Sequence, residues 1–424
     1  MTPSARRPRP GTPAKPVHAP RGNWSGTVEY GFRDASRPTT TDEVRRVVTA
    51  HDHLRVVGTG HTFNAVTDGD HALLMDRFTD VEPTPDGTSV WVGGGATYAD
   101  VALALRPHGL ALRNLASLPH ISVAGAVATA THGSGLTAGN LATHVRSLEL
   151  VTGTGELLTL HRGEPDHAGA VVSLGSLGVV TRLELDVEQD RPWRQVVLEG
   201  LPEPEISSRL EALHSLARSV SIFLRWDGEP ARVWLKRREG DPSPPPSADL
   251  LQAAEEHHPI AGLDPVHCTP QLDEPGWWAD RVPHFLMGFM PSNGDESQSE
   301  YHVAREHGPA AVEALRGIGA EIAAAAQTTE IRAVAADDLW LSPQHGQGTW
   351  SFHFTWSSRP AAAERAAAAI EEALAPLGAR PHWGKVFHHA PRPERLDDFR
   401  VLRERLDPDE RFVNDWVRRV LLTD

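Results

Sequence analysis

Three stretches of this chain carry residues whose types and spacing suit chemistry better than packing. The first is residues 56–64, VVGTGHTFN, where the turn Gly58-Thr59-Gly60 runs straight into His61 and Thr62. Such a turn offers backbone N–H groups to a pyrophosphate, as nests and helix starts do. The fingerprint of a nicotinamide enzyme needs a third glycine and then a helix, and Phe63 stands where that glycine belongs, which disfavours that class. The second stretch is residues 114–135, NLASLPHISVAGAVATATHGSG, nearly free of charge. Its small side chains let backbone lie close to a flat ligand, or let a helix pack tightly on a sheet. The third is a set of alternating polar residues. Strands put i and i+2 on one face, so Glu330-Ile331-Arg332, His353-Phe354-Thr355 and Gln298-Ser299-Glu300 each aim two polar groups one way. A solvated sheet face alternates likewise. Three such faces, with Lys385 after the turn Pro381-His382-Trp383-Gly384, point instead to a polar site.

The elements that must hold these residues are legible in outline. Thr40 and Glu43 form a capping box for a helix over 40–51, with Val44, Val47 and Val48 as its apolar stripe. A strand at 54–57 feeds the glycine turn, and one at 89–92 ends in Gly93-Gly94-Gly95. Thr97 then caps a helix over 98–108 that Gly109 terminates. Strands at 147–152, 157–160 and 179–186 complete an α+β first half. From about Arg191 tryptophans appear, and a proline run at 243–246 breaks the chain. Strands at 221–226, 233–237, 300–303, 330–334 and 350–356, interleaved with alanine-rich helices such as 361–374, make a second domain. FVNDW at 412–416 again reads as packed structure. The division expected is a disordered tail at 1–22, a first domain at 23–190, a second at 191–384, and a segment at 385–424 returning to the first.

Length and composition support this and exclude several classes. A chain of 424 residues with 40% hydrophobic content suits two cores. A net charge of -15 without a basic cluster argues against nucleic acid, whose binders need clustered Lys and Arg. Residues 1–21, rich in Pro and Arg, read as disordered. The pair Arg6-Arg7 is followed by no apolar stretch of signal-peptide length, and no segment approaches the ~18 apolar residues of a membrane span. A cytoplasmic protein without membrane contact is expected, a monomer or weak oligomer. The single Cys268 excludes an intramolecular disulfide and reads as a small buried residue. The 23 histidines include His51 and His53, His257-His258 and His388-His389, but no HExxH or comparable spacing. A metal-dependent hydrolase is therefore disfavoured and no metal is expected.

The order GTGHTFN, VGGGATYADVA, NLASLPHISVAGAVATATHGSG, SLGSLGVVT, QSEY, EIR, HFTW, RPHWGKVF and RFVN spans residues 58–414. In that order it closely resembles the bacterial alditol oxidases of the xylitol oxidase type, within the vanillyl-alcohol-oxidase-like FAD superfamily. The resemblance implies a two-domain α+β fold of the PCMH type. In it an FAD-binding α+β domain sits beside a substrate domain with a mixed or antiparallel sheet flanked by helices. It implies FAD bonded covalently to His61, with Gly58, Thr59, Gly60 and Thr62 lining the pyrophosphate loop. Ser117, Ser122, Gly125, Thr129, Ala130, Thr131 and His132 follow as flavin contacts, Val179 near the adenosine half, and His353 and His382 on the flavin side. Substrate contact falls to Ser117, Gln298, Glu330, Arg332, Thr355 and Lys385. Two departures stand out: Thr62, where the family often has serine, keeps the hydroxyl. Ala130, where glycine is common, adds a methyl and gives up ready access to positive φ.

The implied chemistry makes sense of the third stretch. Oxidising an alcohol at a flavin sends a hydride to the ring while the hydroxyl proton departs, so developing charge on oxygen must be stabilised. Arg332 as a permanent cation and Lys385 as a cation tunable by burial are the expected catalytic donors, with Glu330 steadying Arg332 or accepting from substrate hydroxyls. These three leave about one net positive charge, suited to a neutral polyol such as xylitol or sorbitol, with O2 as acceptor. A sugar-lactone oxidoreductase of the same superfamily is the nearest rival. A flavin-binding protein without turnover is another, but it has no need of the polar set.

Overall fold

The computed structural model of the protein describes residues 17–243, 249–289, 296–357 and 360–423; the expected tail through residue 16 and prolines 244–246 lie outside them. Residues 17–21, read as tail, are packed: Val17 and Ala19 cover Val57, Ala72 and Leu74, and the Arg21 carbonyl accepts from the Tyr30 N–H at 3.0 Å. The two apolar side chains lie over a sheet face that water would otherwise reach.

That sheet is parallel, ordered β1-β3-β2 from β1 (Asp34–Ser36), β2 (Arg55–Val57) and β3 (His71–Leu74). Helix α1 (Thr41–Ala50) follows β1 and buries Val44 and Val48. Thr40 Oγ1 accepts from the Glu43 N–H at 3.2 Å, whereas Glu43 returns its carboxylate to the Thr39 N–H at 2.7 Å, so the expected box closes one residue early. An antiparallel sheet follows, ordered β4-β5-β9-β7-β8, from β4 (Val81–Pro83), β5 (Ser89–Gly93), β7 (Val145–Thr152), β8 (Leu157–His161) and β9 (Gly178–Asp186). A short pair, β6 (Leu110–Ala111) with β10 (Glu188–Gln189), adjoins it. Thr97 and Asp100 make a complete capping box at α2 (Tyr98–Leu105). In the small-residue stretch only α3 (Val123–Ala128) is helical, and the rest is close-packed loop. A further short helix is α4 (His167–Val171).

The remaining strands form one antiparallel sheet of eight, ordered β14-β11-β13-β12-β16-β17-β15-β18. They are β11 (Trp193–Leu201), β12 (Ser219–Leu224), β13 (Ala231–Arg238), β14 (Leu251–Gln252), β15 (Gln298–Ala304), β16 (Ala326–Val334), β17 (Thr349–Trp356) and β18 (Arg380–Pro381). Ile222, Ile331, Phe352 and Phe354 point from this sheet into a core closed by α5 (Ile206–His214), α6 (Gly308–Gly317), α7 (Gly319–Ala325) and α8 (Pro360–Leu374). The opposite face looks toward the first half. Helices α9 (Leu396–Leu406) and α10 (Asp415–Val417) carry Phe399, Leu402 and Trp416 into the same core as Val92, Val123 and Leu183. Among the described residues no helix is long and apolar enough to cross a membrane.

Candidate active site

A cavity of about 760 Å³ is lined from both halves of the chain. Gly58, Thr59, Gly60, His61, Thr62, Ser117, Ser122, Gly125, Thr129, Thr131 and His132 line one side; Gln298, Glu330, Arg332, His353, Thr355, His382 and Lys385 line the other. On the first side, β2 delivers the glycine turn against the start of α3. A Cβ on Gly58 would fall 2.2 Å from Ser122 Oγ and 3.2 Å from Ser122 Cβ, so glycine lets the two segments approach without displacing Ser122, and Gly60 turns the chain at φ +70. Thr59 Oγ1 accepts from the Ser122 N–H at 3.0 Å and lies 3.0 Å from His61 Nδ1. His61 Nε2 is buried without a hydrogen-bond partner. The ring of Trp24 stacks on His61 with centroids 4.9 Å apart, and the Trp24 backbone N–H donates to the Gly60 carbonyl at 2.8 Å. Burial, reinforced by His120 and Lys385, pushes His61 down to about 4.

The second side follows from sheet register. Phe223, Glu330, His353 and Glu300 are paired in turn across β12, β16, β17 and β15, and Ser221, Arg332, Ser351 and His302 form the next row. Paired residues share a face, so the core-facing alternates place this whole polar set toward the cavity. Glu330 and Arg332 are 4% and 6% exposed, which rules out a merely solvated sheet face. Glu300 is the hub. It accepts from Arg332 Nη2 at 2.7 Å, His353 Nδ1 at 3.1 Å and Ser351 Oγ, with His132 Nε2 2.9 Å away. Arg332 also sets Nε 3.5 Å from Glu330 Oε2.

Lys385 is placed by both halves at once. Asn64 Nδ2 donates to the carbonyls of Trp383 at 2.7 Å and Lys385 at 2.8 Å, and the Phe63 N–H donates to the Gly384 carbonyl at 2.8 Å. On the other flank the N–H groups of His382 and Val386 donate to the carbonyls of Glu300 and Gln298, each at 2.9 Å. The ammonium donates to Gln298 Oε1 and lies 4.9 Å from the Phe63 ring centroid. Burial pushes Lys385 down to about 8, Arg332 adding to the shift while Glu300 opposes it. Arg332 is raised, its two carboxylates outweighing burial, and Glu300 is held well below the usual carboxylate range by Arg332 and the histidines despite burial. Burial likewise lowers His353 and His382.

Comparison with known proteins agrees with this geometry. Residues 35–161 match the FAD binding domain family and residues 290–420 the D-arabinono-1,4-lactone oxidase family. The chain is 42% identical to an alditol oxidase from a Streptomyces species over 413 residues, 94% of this chain and 98% of that protein. The chain belongs to the alditol oxidase family. It is an FAD-dependent oxidoreductase. An L-gulono-1,4-lactone dehydrogenase from Mycobacterium tuberculosis is 28% identical over 94% of this chain and 98% of its own. The crystal structure of cholesterol oxidase from Brevibacterium sterolicum superposes with a TM-score of 0.74 at 15% identity, covering 98% of this chain and 100% of that one, which gives the PCMH-type fold. FAD fits the residues present: the Gly58 approach leaves backbone for a pyrophosphate, and the unpartnered His61 nitrogen lies at the cavity wall.

Two expected flavin contacts do not line the cavity. Val179 points into the core with Val44, Leu54, Met75 and Val151, while its neighbours Gly178 and Val180 line the cavity. One residue of strand parity separates Val179 from its cavity-lining neighbours. Ala130 is fully buried in the core, its neighbours Thr129 and Thr131 facing the cavity instead. It adopts φ +54, so alanine occupies the left-handed region that its methyl was expected to forbid. Glu300 corrects the charge estimate: two carboxylates balance Arg332 and Lys385, leaving no net positive charge among the four. The structure also brings together two trios of metal-ligand type, His132-Glu300-His302 and Asp34-His51-His71. Glu300 is committed to Arg332, Ser351 and His353; in the second trio His51 Nδ1 pairs with the Val47 carbonyl, His71 Nδ1 with Asp34 and His71 Nε2 with Ser36 Oγ. Sequence reasoning left Trp24, Phe223 and His284 unmarked, and noted Glu300 only as an alternating residue. The alternation with Gln298 was the signal for Glu300; Trp24 and His284 sit in stretches without periodicity, and Phe223 is an apolar residue inside the strand read at 221–226.

Proposed function

We propose that the protein oxidises an alditol at a terminal carbinol, with O2 as acceptor and hydrogen peroxide as product, on FAD bonded to His61. The observation that carries this is the buried polar face, where Gln298, Thr355, Glu330, Arg332 and Lys385 share one cavity with the His61 loop. A hydroxyl both donates and accepts, so an array of amide, hydroxyl, carboxylate and cations with balanced charge suits a neutral chain of hydroxyls better than an acid. FAD, when bound, supplies the hydride-accepting ring and passes the electrons on to oxygen. Lys385 and Arg332 donate to the reacting oxygen as negative charge grows there, and count most in the transition state. Glu330 accepts from a substrate hydroxyl, while Gln298, Thr355 and Ser117 orient the rest of the chain. His353 and His382 border the flavin side. His61 offers a neutral imidazole held by Trp24 and Thr59, which is the nucleophilic form that bonding to a flavin carbon needs. Residues 23–190 with 385–424 form the FAD-binding unit in this reading and 191–384 the substrate unit, with Trp193, Trp278, Leu339 and Trp383 of the latter packed into the core of the former.

The 28% identity to a lactone dehydrogenase and the match of residues 290–420 to a lactone oxidase family support a second reading, a sugar-lactone substrate. Steady-state peroxide formation across alditols, simple alcohols and aldonolactones separates the two. Turnover of lactones with none of alditols overturns the first. On a denaturing gel the wild type should retain a fluorescent flavin band that His61→Ala lacks; complete release of flavin by acid from the wild type overturns the covalent bond alone.

A further inference from the structure

Lys236 leaves β13 on the polar face of the sheet and is 1% exposed. Its Nζ donates to the carbonyls of Val282 at 2.6 Å and Pro283 at 2.9 Å, and lies 3.1 Å from His284 Nδ1. An ammonium has three donors and no acceptor, so all three are used and His284 Nδ1 must accept. A neutral imidazole then carries its proton on Nε2, and that N–H donates to Glu330 Oε1 at 2.9 Å. Burial favours the neutral ring, pushing His284 down to about 4. The ring is fixed from every side. Its backbone N–H donates to the Ser117 carbonyl at 3.2 Å, and Phe223 and Trp234 meet it edge-on at 5.4 and 5.3 Å. Both His284 and Glu330 line the cavity.

We propose that Lys236 and His284 are positioning residues that present Glu330 to the substrate as an ionised acceptor. Lys236 fixes the tautomer of His284, and His284 occupies one oxygen of Glu330, leaving the other beside Arg332 to accept a substrate hydroxyl. Without Lys236 the His284 proton is held on Nε2 by Glu330 alone, and Nδ1, no longer facing a donor, can take it up. A lone pair then faces the carboxylate at 2.9 Å, and Glu330 either turns away or takes up a proton. The charged and titratable groups facing Lys236 are His284, Glu330, Arg332 and Cys268; those facing His284 are Lys236, Glu330 and Arg332. Burial pushes Lys236 down to about 7, so its proton is present below that pH and is lost as pH rises through it.

This inference rests on the alditol reading, and the test separates the two. Lys236→Met, His284→Gln and the double variant are prepared as FAD-loaded enzyme, with flavin content measured, and anaerobic flavin reduction is followed over a range of xylitol concentrations. The glutamine amide donates to Glu330 without depending on a tautomer. Because a hydrogen bond to a charged group is at stake, Lys236→Met should weaken polyol binding or slow reduction by about tenfold or more with His284 present, and by under about threefold beside His284→Gln. Equal losses in both backgrounds, or none, overturn the proposal. Should Lys236→Met not load FAD, the pH dependence of polyol binding decides. Binding in the wild type should weaken as pH rises through about 7, a limb that His284→Gln lacks; the same limb in both, or in neither, overturns the relay. A wild-type flavin that no polyol reduces refutes the alditol reading instead. In that case nitrogen shifts of labelled histidine, with His284 assigned by its absence in His284→Gln, still test the relay, and a protonated Nδ1 overturns it.

Discussion

Replacing Lys385 by methionine keeps the length and apolar stem of the side chain and removes only the ammonium. In the structure that ammonium donates to Gln298 and faces the Phe63 ring, while its backbone is held from two sides by Asn64 and by the carbonyl of His382. The loop therefore stays in place, and the loss falls on the donor. A neutral substrate hydroxyl gains about 1.5–3 kcal/mol from a charged donor, so polyol binding should weaken by about tenfold to a hundredfold. A developing alkoxide gains more: loss of one oxyanion donor costs about 3–4 kcal/mol, a hundredfold to a thousandfold in the rate of flavin reduction. Arg332 remains to share the charge, which places the expected loss nearer the hundredfold end. Anaerobic stopped-flow reduction over a range of polyol concentrations separates the limiting rate from the apparent Kd. The wild-type limiting rate should also fall as pH rises through about 8, where the ammonium is lost, and the variant should lack that limb. A Lys385→Met enzyme with intact flavin that is reduced at the wild-type rate would refute the assignment and leave Lys385 a structural lysine.

Arg332→Lys keeps the charge but cannot reach Glu300 and Glu330 together, and loss of one charge-assisted bond of about 1.5–3 kcal/mol should slow flavin reduction at least tenfold, read in the same stopped-flow assay. Ala130→Val puts a β-branched side chain at φ +54 in a fully buried position and should destabilise the fold by more than about 2 kcal/mol in urea unfolding, whereas Ala130→Gly should stay within about 1 kcal/mol of wild type because relief of strain offsets the lost methyl and the added chain entropy. Trp24→Ala removes the ring stacked on His61 and should lower the fraction of flavin retained by acid-precipitated protein; an unchanged fraction argues that the stack plays no part in flavin attachment.

The sequence was most readable where a local period carries the signal. Gln298, Glu330, Arg332, His353 and Thr355 could be grouped because alternation puts i and i+2 together, and His61 because its glycine turn is contiguous. Parity at strand ends was not readable: nothing in GVVTRLELD decides whether Val179 or Val180 faces the cavity until β9 is paired with β7, which turns Val180 to it and Val179 to the core. Glu300 needed the joint register of β15, β16 and β17 before its partners converged. The stitch from Asn64 to Trp383 spans 319 residues, a distance over which no local pattern speaks. Lys236 reads from sequence as an ordinary strand lysine, and His284 lies in irregular chain; only the fold shows that an ammonium and a carboxylate sit on either side of that ring.

These same commitments bear on how one scaffold serves relatives named for alditols and for lactones. Glu300, Glu330 and Arg332 each hold two or more buried partners, and removing one partner of a buried ion pair costs about 3–5 kcal/mol, so the sheet face resists change. Moving Lys385 would break its bonds to the His61 loop and so displace the substrate relative to the flavin. The segment from His258 to Leu263 is different. His258, Pro259, Ile260 and Leu263 line the cavity, and Thr328 Oγ1 donates from the polar sheet to the Pro259 carbonyl at 3.1 Å. A backbone carbonyl survives any side-chain exchange around it. Selection for a different polyol length or for a ring can therefore act on that segment at small cost in stability, while the donors that meet the reacting oxygen stay where the sheet register puts them.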